Sequence, residues 1–160
     1  MAVDMFLKVD NIDGESQDSK HGKEIDVLAW SWGMAQSGTA HVGGGMGSGK
    51  VSVQNVSITK YTDAASHGLM LACCKGTHIP NATLTIRKAG DNPLEYIKLV
   101  MQDCVISSIA TGGSGGEDRL TENVSINFAK FKYAYTPQKP DGSGDAAKEA
   151  NWNIAKNEAM

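Results

Sequence analysis

Ile25-Asp-Val-Leu-Ala-Trp-Ser-Trp-Gly-Met-Ala35 is the stretch whose reading decides the fold. Large and small residues alternate along it: Leu28, Trp30 and Trp32 fall on one side, and Val27, Ala29, Ser31 and Gly33 on the other. A period of two belongs to an extended strand, whose successive side chains point to opposite faces, and not to a helix. The bulky side predicts burial, because two tryptophans that continue a leucine stripe carry a large apolar area. The small side predicts a surface that another molecule can approach closely.

The same period extends in both directions from this stretch. Val3–Val9 reads as a first strand, and the polar run 11–24, with Gly14 and Gly22, as a surface connection. Six glycines in residues 38–50 leave too much backbone freedom for a regular element, so a mobile loop is expected over about 36–50. Val51–Thr59 resumes the strand pattern, but the apolar positions pass from odd (Val51, Val53) to even (Val56, Ile58), which predicts a bulge at Gln54 and Asn55. A helix is expected from a cap at Thr62 or Asp63 to about Cys74, with Leu69, Met70, Cys73 and Cys74 on its apolar stripe and Gly76 closing it.

Ala82–Lys88 and Glu95–Ala110 read as a hairpin turning at residues 89–93 (AGDNP). Arg119–Tyr135 is the longest strand, with Val124, Ile126 and Phe128 in one phase and Phe131, Tyr133 and Tyr135 in the other. Long strands that change phase suit a barrel in which one strand serves two sheets. Beyond Pro137 the C-terminal tail 137–160 has helical composition, yet Trp152 and Ile154 are spaced as on a short last strand. The fold class is mainly β: a two-sheet β-barrel with one short α-helix at its side, in one domain over 1–160.

Composition narrows the function. With 41% hydrophobic and 21% charged residues the chain is of ordinary globular type. A net charge of −3, from 15 basic against 18 acidic residues, gives no footprint for a phosphate backbone, so nucleic acid is not expected as a partner. No run of eighteen or so apolar residues suggests a membrane span, and the charged N-terminus has none of the apolar core of a signal peptide. Synthesis in the cytoplasm without a cleaved leader is expected. Cys73, Cys74 and Cys104 form an odd set without C-x-x-C spacing and read as small buried hydrophobes.

Four motifs imitate chemistry. Gly44-Gly-Met-Gly-Ser-Gly-Lys50 resembles a phosphate-binding loop, but Val51 stands where Ser or Thr would hold magnesium and a strand pattern follows where a helix should. Gly112-Gly-Ser114-Gly-Gly116 fits the G-x-S-x-G elbow of a serine hydrolase, yet every histidine precedes Ser114 and the next segment alternates as a strand. His67, Cys73, Cys74 and His78 match no metal-ligand spacing and read as buried thiols and surface histidines. Glu117, Asp118 and Glu122 around Arg119 read as a salt-bridge group rather than an acid–base pair. No catalytic residue, cofactor or metal is expected.

Several segments together resemble Hcp, the haemolysin-coregulated proteins of type VI secretion, across essentially the whole chain. They are Ile25–Gly33, Lys60-Tyr-Thr-Asp63 with the following Leu69-Met-Leu-Ala-Cys73, Leu84-Thr-Ile-Arg-Lys-Ala-Gly90, Ser107–Val124 and Trp152-Asn-Ile154. The resemblance implies a homohexameric ring, stacked rings forming a tube, type VI sheath and spike proteins as partners, small effector proteins held and protected inside the ring, and export through the apparatus. Under it, Val27, Ala29, Ser31 and Gly33 are expected to face the lumen. Gly43, Gly44, Gly45, Met46, Gly47, Ser48, Gly49 and Lys50 are expected to form a ring-stacking loop, and Glu117, Asp118, Arg119 and Glu122 a ring-interface salt-bridge group. The competing readings are a monomeric barrel binding a small ligand and a hydrolase using Ser114.

Overall fold

The computed structural model describes residues 2–37 and 49–160. Ten strands and one helix follow in the order β1 (Val3–Val9), β2 (Ile25–Ser31), β3 (Met34–Ala35), β4 (Ser52–Val53), β5 (Val56–Tyr61), α1 (Ser66–Lys75), β6 (Ile79–Lys88), β7 (Glu95–Thr111), β8 (Thr121–Tyr135), β9 (Lys148–Asn153) and β10 (Glu158–Ala159). Six of them close on themselves as β8-β5-β2-β1-β6-β7, because β7 also pairs with β8, and every pairing is antiparallel. The first half of β8 lies between β5 and β7; where β5 ends, β9 takes its place along residues 130–135, and β10 continues the sheet. One long strand therefore has β5 beside its first half and β9 beside its second, at either side of its change of phase.

That change is made by both long strands at one level. Met101 and Cys104 of β7 are both buried, as are Phe131 and Phe128 opposite them, with two residues between the buried pair on each strand. Because the insertion is matched, the register is kept while the inward face reverses. Asp103 supplies the turn-over with a left-handed φ of 55°, a conformation Asp tolerates better than most residues, and its carboxylate takes a hydrogen bond from His78. Leu7, Ile25, Val56, Ile58, Leu84, Leu99, Val124 and Ile126 are fully enclosed and form the middle of the core.

Local departures from the sequence pattern have identifiable causes. Pairing of β2 with β5 skips a residue between Val27 and Ala29, so Leu28 sits at a bulge and is 40% exposed, while Ile25 and Val27 point into the core. Leu28 is therefore not part of the tryptophan stripe, and Val27 is not part of the small face. Trp32 packs edge-on against Phe131 at 4.8 Å between ring centroids, and its indole N–H donates to the carbonyl of Gln54. The slip at Gln54 and Asn55 is a break between β4, which belongs to a separate two-stranded sheet with β3, and β5 in the barrel. The helix begins at Ser66 and has no side-chain cap; Asp63 closes the preceding turn by accepting the N–H of Ala65. Its buried stripe is Ala65, Leu69 and Ala72 with Cys73 half-buried, and Cys74 is exposed. Gly76, with φ 62°, closes the helix as its sequence position requires.

The 11–24 connection is no solvated strap, since Gly14, Ser16 and His21 are buried. It folds on itself through backbone hydrogen bonds from Gly14 to Lys23 and between Ser16 and both Lys23 and Glu24. The bulk of the glycine-rich 36–50 loop lies outside the described residues.

Candidate assembly surface

β2, β5, β8 and the second half of β7 lie side by side, and their outward side chains form two rungs across all four strands. One runs Ser31, Ser57, Ser125, Ser108; the next runs Ala29, Thr59, Asn123, Ala110. Neither rung holds a charged residue. Several of the polar groups here and beside the rungs bond to one another: Thr59 donates to Asn123 Oδ1 at 2.9 Å, Ser57 and Ser125 hydroxyls lie 3.3 Å apart, and Asn55 bridges Ser107 and Asn127 at 3.0 and 2.8 Å. The result is a wall of hydroxyls, amides and methyls. Of the four small-face residues, Ala29 and Ser31 stand in this wall. Gly33 lies just past the end of β2, where its carbonyl accepts the Gln54 N–H, and Val27 is in the core.

Both margins of the wall are unpaired strand edges. β2 is paired with β1 only at Asp26 and Ile25, so from Val27 to Ser31 it has a neighbour, β5, on one side alone. β7 is paired with β6 only as far as Cys104, so from Val105 to Thr111 it has β8 alone. No other strand among the described residues covers either edge. Exposed edges present unmet backbone donors and acceptors, which a second chain can satisfy.

Directly behind the wall the same strands carry ions. Lys60 and Glu122 face each other one residue beyond Thr59 and Asn123, on the opposite face of the sheet, and both side chains are fully buried. The three protons of the Lys60 ammonium meet Glu122 Oε2 at 2.8 Å, Asp63 Oδ1 at 2.9 Å and Ser66 Oγ at 3.1 Å. Ser66 in turn donates to Glu122 Oε2 at 2.8 Å. Burial alone would raise the Glu122 pKa; the hydrogen bonds from Lys60 and Ser66 outweigh it and hold the carboxyl below its usual range. This network pins the start of α1 to β5 and β8. It also removes Glu122 from the expected surface group, in which Glu117, Asp118 and Arg119 alone are exposed, with the Arg119 guanidinium 3.8 Å from the Tyr61 ring centroid. Sequence pattern gives no sign of the network beyond the even-numbered position Lys60 shares with Val56 and Ile58.

The remaining motifs resolve simply. Ser114 sits in an exposed turn where its carbonyl accepts the Glu117 N–H, and none of the described histidines is hydrogen-bonded to it. Cys104 is enclosed, and burial pushes its thiol up to about 12. Among the described residues no three His, Cys, Asp or Glu side chains come together as a metal site requires. Among the described residues no helix is long and apolar enough to cross a membrane. Of the stacking-loop residues, Gly43, Gly44, Gly45, Met46, Gly47 and Ser48 lie outside the described residues. Gly49 and Val51 border a hollow of about 570 Å3, with Met34, Phe131 and Trp152 on its other sides.

Comparison with known proteins agrees with this architecture. Residues 6–135 match the family described as "Type VI secretion system effector, Hcp". Over 159 residues, 98% of each chain, the sequence is 56% identical to "Protein hcp1" of Pseudomonas aeruginosa. The crystal structure of Hcp1 from Salmonella typhimurium superposes with a TM-score of 0.83 at 40% identity over 100% of both chains. A structure titled as a type six secretion system protein superposes with 0.93 at 29% identity, covering 99% of this chain and 100% of that one. The chain accordingly belongs to the Hcp family, the secreted tube proteins of type VI secretion, a structural family and not one of enzymes.

Proposed function

We propose that this chain closes into a hexameric ring through its two unpaired strand edges, the β2 margin of one copy meeting the β7 margin of the next. The observation that carries the reading is that the two open edges bound one and the same sheet, the neutral wall. Edges on opposite sides of a sheet make a heterologous contact, and such a contact ends only when rotation brings the last copy to the first. The wall then lines the lumen, with Ala29 and Ser31 facing whatever the ring encloses. Stacked rings make the inner tube, partnered by the sheath and spike of the secretion apparatus, and the tube is exported through that apparatus.

The light-scattering mass of the native protein, with negative-stain images of the same sample, tests ring formation. A sixfold mass and a visible central hole are expected; a stable monomer would overturn it and favour the ligand-binding barrel. The second role proposed here is the holding of small effector proteins against the wall. Ser31→Gln narrows the lumen without adding charge, and retention of an enclosed effector unchanged by it would remove Ser31 from the contact. The glycine-rich segment ending at Gly49 and Lys50 is proposed to order against the next ring, where binding offsets the entropy its glycines lose. Equal hydrogen-exchange protection of that segment in free rings and stacked tubes would contradict this.

A further inference from the structure

His21 is held between two carboxylates that favour its charged form. Its Nδ1 lies 2.7 Å from Glu24 Oε2 and its Nε2 2.6 Å from Glu95 Oε1, and the residue is 8% exposed. An ionised carboxylate only accepts hydrogen bonds, so both ring nitrogens must carry protons, and only the imidazolium has two. The ring stacks on Phe6 at 4.5 Å with an interplanar angle of 11°, and the Arg87 guanidinium lies 4.9 Å from the same Phe6 ring. Burial disfavours the charge, but the two carboxylates outweigh it, so the pKa stands above 6.5.

The charged groups around this site come from four elements: Glu24, Asp18 and Lys20 of the 11–24 connection, Glu95 at the start of β7, Arg87 of β6 and Asp4 of β1. Two contacts dock the connection on the barrel. Asp18 forms an ion pair with Arg87, which holds the Asp18 carboxyl down to about 2, so this contact persists at any ordinary pH. His21 with Glu95 is the other, and it needs a proton.

We propose that the 11–24 connection is a pH-responsive strap, docked at both points while His21 is charged and released from β7, but not from β6, when His21 loses its proton. A group whose pKa is raised by folding stabilises the docked form fully below its unfolded value, and that stabilisation is lost as pH rises through the folded value. Release uncovers the face of Phe6 on which the His21 ring stacks.

The test is hydrogen exchange of residues 11–24 in the native assembled protein between about pH 6 and about pH 9, with labelling times scaled to hold intrinsic exchange constant. Protection of this segment is expected to fall as pH rises while the β8 core stays protected. In Glu95→Gln the fall should come at lower pH, because one of the two carboxylates that raise the pKa is gone. In His21→Gln the segment should show the released level throughout. Wild-type protection that does not change across the range, or a Glu95→Gln profile that superposes on the wild type, would overturn the proposal.

Discussion

The two faces of the β2-β5-β8-β7 sheet invert the usual arrangement of charge. Inside, one residue from the wall, Lys60 and Glu122 lie fully buried and bonded to Asp63 and Ser66; outside, two complete rungs carry no ion. Solvent normally takes the charges and the core the neutral groups. The interior ions are tolerable because every Lys60 proton has a partner, so desolvation is offset. The neutral exterior has a different reason. In a closed ring each wall residue is repeated in every copy around one axis, and a charge there would face its own images. What looks inverted in one copy would be ordinary in the proposed ring, where the wall would be an enclosed surface.

The largest effect is expected on the inner face. Glu122→Ala strands a buried ammonium with less counter-charge and should cost about 3–5 kcal/mol. For a chain of this size that is a melting temperature lower by about 10 °C in thermal denaturation. Replacing all three ions together, Lys60→Met with Glu122→Leu and Asp63→Asn, should recover most of that loss, because the penalty lies in the unpaired charge. A triple variant as unstable as the single would break the account of the inner face.

On the outer face, Ser57→Asp is expected to leave the melting of an isolated copy within about 0.5 kcal/mol, as for surface substitutions generally, while depleting rings by light scattering at low salt and restoring them as salt screens the repeated charge. Rings as abundant as the wild type's at low salt would mean that neutrality of the wall is not required.

Acid provides a third probe. Because the Glu122 pKa is held below its ordinary 4.5, the carboxylate stabilises the fold above that value and the contribution is lost as pH falls through the lower folded value. The stability difference between wild type and Glu122→Gln in denaturant titrations should therefore shrink in that acid range and stay constant above it. The smallest effect is expected for Thr59→Val, which removes one exposed hydrogen bond to Asn123 and should cost no more than about 0.5 kcal/mol, one residue away from the buried Lys60.

The barrel was legible in the sequence wherever a strand has one wet and one dry face, as in β5, where Val56 and Ile58 alternate with Ser57 and Thr59. Reading failed where the alternation crosses a bulge. Nothing in Val27-Leu-Ala29 marks the skipped residue that sends Leu28 outward, since all three are apolar. Lys60 and His21 were unreadable for another reason. Charged residues are rarely buried, and what permits it here is a set of partners far away in the chain: Glu122 for Lys60, and Glu95 for His21. Ala29 and Ser31 are exposed, as their small size beside a bulky stripe suggests, whereas the edges that bound the wall depend on where β1 and β6 stop pairing, a property of the whole topology.

The proposed ring rests on the two wall edges being satisfied by neighbouring copies. Amide hydrogen exchange of residues 27–31 and 105–111 in the native protein measures this directly. Protection of both segments close to that of β8 is expected, although each has a strand on only one side within a single copy. Fast exchange of the amides on those margins, in particles that keep their native mass, would contradict it.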